Sequence, residues 1–62
     1  MRTRSVKAEN VVEGDLVIVG TNDIRRVEDL RENGRMDGVW LEFEDRSALF
    51  YNYSDIVRLV DE

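Results

Sequence analysis

From Val39 to Glu44 apolar and polar side chains alternate. Val39, Leu41 and Phe43 fall on one phase, and Trp40, Glu42 and Glu44 on the other. A period of two is what a strand with one buried face requires. Beyond Asp45-Arg46 a second apolar run, Ala48-Leu49-Phe50-Tyr51, turns back on the first, and the spacing predicts a β-hairpin. It holds the only Trp, both Phe and one of the two Tyr residues. Two registers are open. With Asp45 and Arg46 as a two-residue turn, Trp40 faces Tyr51. With Glu44, Asp45 and Arg46 as a three-residue loop and a bulge, Trp40 faces Phe50. An Asp45-Arg46 pair disfavours a type I′ turn, because that turn demands φ > 0 at both central residues and Arg resists it, and the register stays open.

Upstream, Leu16-Val17-Ile18-Val19 lies between the Glu13-Gly14-Asp15 turn and Gly20, the signature of a short buried strand. Asn33-Gly34 and Asp37-Gly38 are the strongest turn signals in the chain. Tyr53-Ser54-Asp55 reads as a tight helical turn, followed by a last strand in which Val57 and Leu59 alternate with Arg58 and Val60. Residues 22–33 fit two readings. As a helix, Ile24, Val27 and Leu30 form one stripe, Asn22 caps the start, Gly34 ends it, and Arg25 pairs with Asp29. As a strand, Arg25 to Glu32 is long and twisted, with Val27 inside and a bulge near Asp29.

The order of these elements resembles that of small SH3-like barrels. It runs from a Gly-Asp turn and an apolar strand through an Arg-Arg-Val strand and an Asn-Gly loop to a Leu-Glu-Phe-Glu-Asp hairpin, a Ser-Asp turn and a closing Val-Arg-Leu-Val strand. Such barrels occur in short proteins encoded by bacteriophages and bacteria, and in ribosome- and transcription-associated modules. The resemblance covers residues 11–60. It implies a mostly β fold, a five-stranded and strongly bent antiparallel sheet or barrel, and it favours a strand at 24–32. The helical alternative gives a small α+β domain. The expected core is Leu16, Ile18, Val27, Val39, Leu41, Phe43, Phe50, Ile56, Val57 and Leu59, joined by Ala48 or Leu49 according to the register.

Length sharpens the picture. A single domain of 62 residues buries only about 60% of its unfolded surface. Without Cys or His, neither a disulfide nor a structural zinc site reinforces it, so a compact barrel core or self-association must supply stability. A weak homodimer through a sheet edge or the Trp40 face is the corresponding expectation. No apolar run approaches the ~20 residues that span a bilayer, and the charged start lacks the apolar segment of a signal peptide. The expected location is the cytoplasm.

Charge is unevenly placed. Residues 1–7 hold Arg2, Arg4 and Lys7 and no acid, whereas residues 8–62 hold six Arg against fourteen acids. The division expected is a flexible basic arm at 1–7 and a single SH3-like domain at 8–62. An acidic body disfavours phosphate neutralisation as the main mode of action, and any nucleic-acid contact falls to Arg2, Arg4 and Lys7. Arg25 and Arg26 are expected to point outward and shield a sheet edge.

Catalysis is not expected. The chain lacks Cys, His, a Ser-His-Asp set and a Gly-rich phosphate loop, and its clustered carboxylates would need a pocket to tune them. No cofactor or metal is expected, since Asp15, Asp23 and Asp29 lack calcium-loop spacing. What remains is the expectation of a small binding, adaptor or inhibitor protein, phage-encoded as the resemblance implies, that meets a protein partner through Trp40, Tyr51, Glu42, Glu44 and Asp45. Against this stands a reading in which the aromatic pair merely braces the hairpin. Two further functional readings are a nucleic-acid-associated barrel using the basic arm and Trp40, and an acidic mimic of nucleic acid using Glu42, Glu44, Asp45 and Asp37.

Overall fold

Within the ambiguous stretch 22–33, Asp23–Asn33 resolves as strand and Asn22 belongs to the preceding turn. In the computed structural model, which describes residues 1–61, β3 (Asp23–Asn33) is the longest element and no α-helix occurs among the described residues. Around it lie β1 (Arg2–Lys7), β2 (Leu16–Val19), β4 (Gly38–Phe43), β5 (Ala48–Asn52) and β6 (Ile56–Asp61). All pairings are antiparallel, in one sheet of order β1-β6-β2-β3-β4-β5. Short 3-10 turns at Ala8–Asn10 and Gly34–Met36 complete the chain.

β3 serves both halves of the sheet. Its first part pairs with β2 (Leu16↔Arg26, Val17↔Arg25) and its second with β4 (Leu30↔Leu41, Arg31↔Trp40). Between them the register shifts from Val27↔Phe43 to Asp29↔Glu42, leaving Glu28 as the bulged residue. A bulge bends the strand and adds twist. At the bend, Val27 donates its N–H to Asp15 O (2.8 Å) and accepts from Gly14 N (2.9 Å). The Glu13-Gly14-Asp15 turn therefore substitutes for a strand there, with Gly14 at φ 94°, a conformation only glycine adopts without cost.

The sheet curls around one core of Ala8, Val11, Val17, Val27, Val39, Leu41, Phe43, Val57 and Leu59, drawn from both halves. β4 turns Val39, Leu41 and Phe43 inward and β6 turns Val57 and Leu59 inward, as their alternation requires. β2 does not follow expectation: Val17 is buried, while Leu16 and Ile18 are only partly covered on the outer face. There they neighbour Ile24 and Val60 across the strands. Phe50 also sits on the outer face, and Ile56 is largely exposed. A one-residue change of phase exchanges the two faces of a strand, and the uniformly apolar β2 carries no alternation to set its phase.

Three further expectations are corrected. The sheet has six strands, not five, because residues 2–7 form β1 along β6 (Val6↔Val57, Arg4↔Leu59) instead of a flexible arm. Arg25 does not point outward: it shares a face with Val17, and its guanidinium lies over the Phe43 ring at 5.7 Å. Arg26 does face out and donates to Gly14 O at 2.8 Å. The two outermost strands differ in character, since β1 carries Arg2, Arg4 and Lys7 and β5 carries no charge.

Gly38 begins β4 in a buried position where any Cβ would overlap the Phe50 ring and the Tyr51 carbonyl. Phe50 thus lies across the gap that the glycine leaves, a close approach only Gly permits. The variant Gly38→Ala is expected to displace Phe50 and destabilise the domain by about 1–3 kcal/mol. A thermal melt of the variant checks this, and an unchanged midpoint would show that the ring moves freely.

Candidate functional site

The hairpin loop sets the geometry of the outer face. Phe43 donates to Ser47 O (2.9 Å) and Arg46 N donates to Phe43 O (2.9 Å), enclosing Glu44, Asp45 and Arg46. Arg46 adopts φ 71°, so the loop is the three-residue type closed by a left-handed residue. This register puts Trp40 opposite Phe50. Their rings meet edge to face, with centroids 5.4 Å apart and planes at 61°, the arrangement favoured by aromatic quadrupoles.

Trp40 remains 39% exposed although it belongs to an inner strand of the sheet. Its neighbour on β3 is Arg31. The Arg31 Nε lies 3.2 Å from Glu42 Oε1 and 4.0 Å from Asp29 Oδ2, so one cation is held between two carboxylates beside the indole. Surface ion pairs of this kind add little stability. They place Glu42 and Arg31 as a polar rim beside an aromatic centre.

Of the five residues expected to meet a partner, Trp40 and Glu42 share this face. Tyr51 does not: it pairs with Val39 and packs against the core on the opposite side. Glu44 and Asp45 lie in the loop, where Glu44 is 3.6 Å from Arg26 Nε and Asp45 is 3.7 Å from Arg25 Nε. Phe50, Arg31 and Asp29 complete the face. Phe50 was within reach of sequence reasoning through the three-residue loop. Arg31 and Asp29 were not, because the exact place of the expected bulge, at Glu28, decides which β3 residues reach this face.

The basic residues are not gathered. Arg2 and Arg4 align with Asp61 and Leu59, and Arg4 lies 3.7 Å from Asp61. Lys7 pairs with Ile56 on the alternate phase and projects from the other side.

Electrostatics distinguish the two ends of the inner face. Asp45 accepts hydrogen bonds from the Ser47 side chain and from Ser47 N (3.0 Å). These bonds, with Arg25 nearby, hold its carboxyl below the ordinary carboxylate value. Burial raises the Tyr51 hydroxyl, opposed by Arg25, whereas burial, Glu32 and Asp37 all raise Tyr53. Among the described residues no group of three or more acids is placed to hold a metal ion, and no helix is long and apolar enough to cross a membrane. No protein-family model, curated protein or solved structure matches the chain.

Two pH responses follow from these environments. Replacing Ser47 with Ala is expected to return the Asp45 carboxyl toward its ordinary value, read by side-chain carboxyl NMR. In the native chain, the stability from this depressed value is present above about pH 4 and lost as pH falls further. For the tyrosines the sign reverses, because the folded chain holds their protons more tightly than the unfolded one. Their contribution is complete below about pH 10 and disappears as pH rises through the folded values. Tyrosinate absorbance and thermal melts across that range check it.

Proposed function

We propose that this chain is a small non-enzymatic protein-binding module, an adaptor or inhibitor of SH3-like type, whose contact surface is the Trp40–Phe50 face. The observation that carries this reading is Trp40 itself. A 39% exposed Trp sits on the outer sheet face, flanked by Phe50 and rimmed by the Arg31–Glu42 pair. Rigid aromatics within a polar rim are the anchors that dominate protein interfaces. The SH3-like part of the proposal draws on the strand order β6-β2-β3-β4-β5 and on the long bent β3 shared by both halves. An origin in a phage or bacterial genome, and a cytoplasmic site of action, rest on the sequence resemblance and on composition alone.

The alternatives are weaker on specific grounds. A nucleic-acid mimic needs unneutralised carboxylates, and of Glu42, Glu44, Asp45 and Asp37 the first three each lie close to an Arg. A nucleic-acid binder needs its cations on one surface, and Arg2 and Arg4 project away from Lys7. Duplex DNA or RNA is therefore expected to show no measurable binding near physiological salt, as fluorescence anisotropy with labelled duplexes would report. Submicromolar binding would reverse the assignment. A weak homodimer remains compatible with the same surface or with the β5 edge.

Trp40→Ala is the discriminating variant. Losing a half-exposed ring and its edge contact is expected to cost about 1 kcal/mol of stability, while binding should fall by at least ~2 kcal/mol if Trp40 is the anchor. Affinity capture from host lysate with and without nuclease, native chain beside variant, supplies the binding readout, and a thermal melt supplies the other. A variant that folds normally and captures the same protein equally well removes the proposal. A loss of 3–5 kcal/mol, typical of truncating a buried aromatic, assigns Trp40 to the fold instead.

A further inference from the structure

On the opposite side of β4, Val39 faces inward next to outward Trp40, and the curled sheet opens there into a cavity of about 430 Å³. That volume lies within the roughly 300–1,000 Å³ of ordinary ligand sites. Val11, Leu30 and Val39 contribute apolar wall, and Glu9, Glu32 and Tyr53 contribute polar groups. The rim is held by the backbone: Ala8 N donates to Asp55 O (2.8 Å), Glu9 N to Tyr53 O (3.2 Å), and Tyr53 N to Asp37 O (2.9 Å). The site is therefore shaped before anything enters it.

Its charge is uncompensated. The ion pairs of the sheet engage carboxylates elsewhere, at Asp23, Asp29, Glu42, Glu44, Asp45 and Asp61. Among the described residues, the Glu9 and Glu32 carboxylates and the Tyr53 hydroxyl make no such contact and no side-chain hydrogen bond. The Tyr53 hydroxyl senses the anions Glu32 and Asp37 with no offsetting cation. An apolar wall beside unpaired acceptors suits a cation on an aliphatic stem, whose methylenes pack while its head stays polar. Several separate acceptors and an aromatic ring match a guanidinium, which is planar and carries five donors, better than an ammonium.

We propose that this cavity receives an arginine side chain presented by an extended segment of a partner protein. The site is independent of the Trp40 face, since the two lie on opposite sides of β4.

The test is an amide NMR titration of the full chain with a short blocked peptide carrying two arginines. Its citrulline counterpart, of the same shape without charge, and spermidine serve as controls. Saturable shifts are expected at Ala8, Val11, Leu30, Val39 and Tyr53, with much weaker effects from citrulline and spermidine. Combining Glu9→Gln with Glu32→Gln should weaken the arginine peptide roughly tenfold, the order expected from losing two partly exposed ion pairs. Both side chains are exposed, so amide dispersion should stay native. Trp40→Ala should leave this titration unchanged, which separates the proposal from the reading of the outer face. Tyr53→Phe, which keeps the ring and removes an acceptor, should weaken binding less than the double variant. Absence of shifts at millimolar peptide, shifts spread over all the acidic residues, or equal binding by spermidine or the citrulline peptide would each overturn it.

Discussion

Everything in this fold depends on β3 belonging to two half-sheets at once. A strand that pairs with β2 at one end and β4 at the other must bend between them, and the bulge at Glu28 supplies the bend. The extra residue also changes which side chains face inward. Val27 and Leu30 both reach the core although they are three apart, a spacing that a straight strand would divide between opposite faces. Without that offset the apolar residues on one side of the bulge would face water, and a chain without Cys or His has no disulfide or Cys/His zinc site to compensate. The turn at Gly14 and Asp15, bonded to Val27 on both its amide and carbonyl sides, fixes where the bend falls.

The same offset explains why residues 22–33 looked like either helix or strand. An apolar spacing of three is the mark of a helix in an isolated segment, and a bulged strand produces it too. Only the order of elements along the whole chain separated the two readings. β4 was legible because it alternates cleanly, and β6 in part: Val57 and Leu59 flank Arg58, while apolar Ile56 on the outer phase misleads. β2 was not, since four consecutive apolar residues leave the phase open. β1 escaped notice for a different reason: Arg-Thr-Arg-Ser-Val-Lys contributes one apolar side chain to the core side, Val6, and becomes a strand by pairing with β6 at the far end of the chain. That pairing is long-range information. Arg25 belongs to the same class, as its inward placement follows from aligning with buried Val17 and ending over Phe43.

The candidate surfaces were legible in proportion to how local they are. Trp40 and Glu42 stand out in a few residues of sequence, and their shared face follows from strand alternation alone. Tyr51 was assigned to that face or to the other according to a single residue in the loop, and the left-handed Arg46 decided it. The inner cavity could not be read in advance at all. Glu9, Glu32 and Tyr53 come from the first turn, the end of β3 and the turn before β6, and no spacing along the chain connects them.

The unlike outer strands carry a consequence for assembly. An exposed strand is a template for another strand, and a sheet open at both ends could in principle grow without limit. Here one end is studded with Arg2, Arg4 and Lys7, while the other, Ala48 to Asn52, is neutral. Two copies meeting at their neutral ends would leave only like-charged ends outside. Pairing of that kind would stop at two copies, so the asymmetry would act as a valence of one and limit the growth of an open sheet.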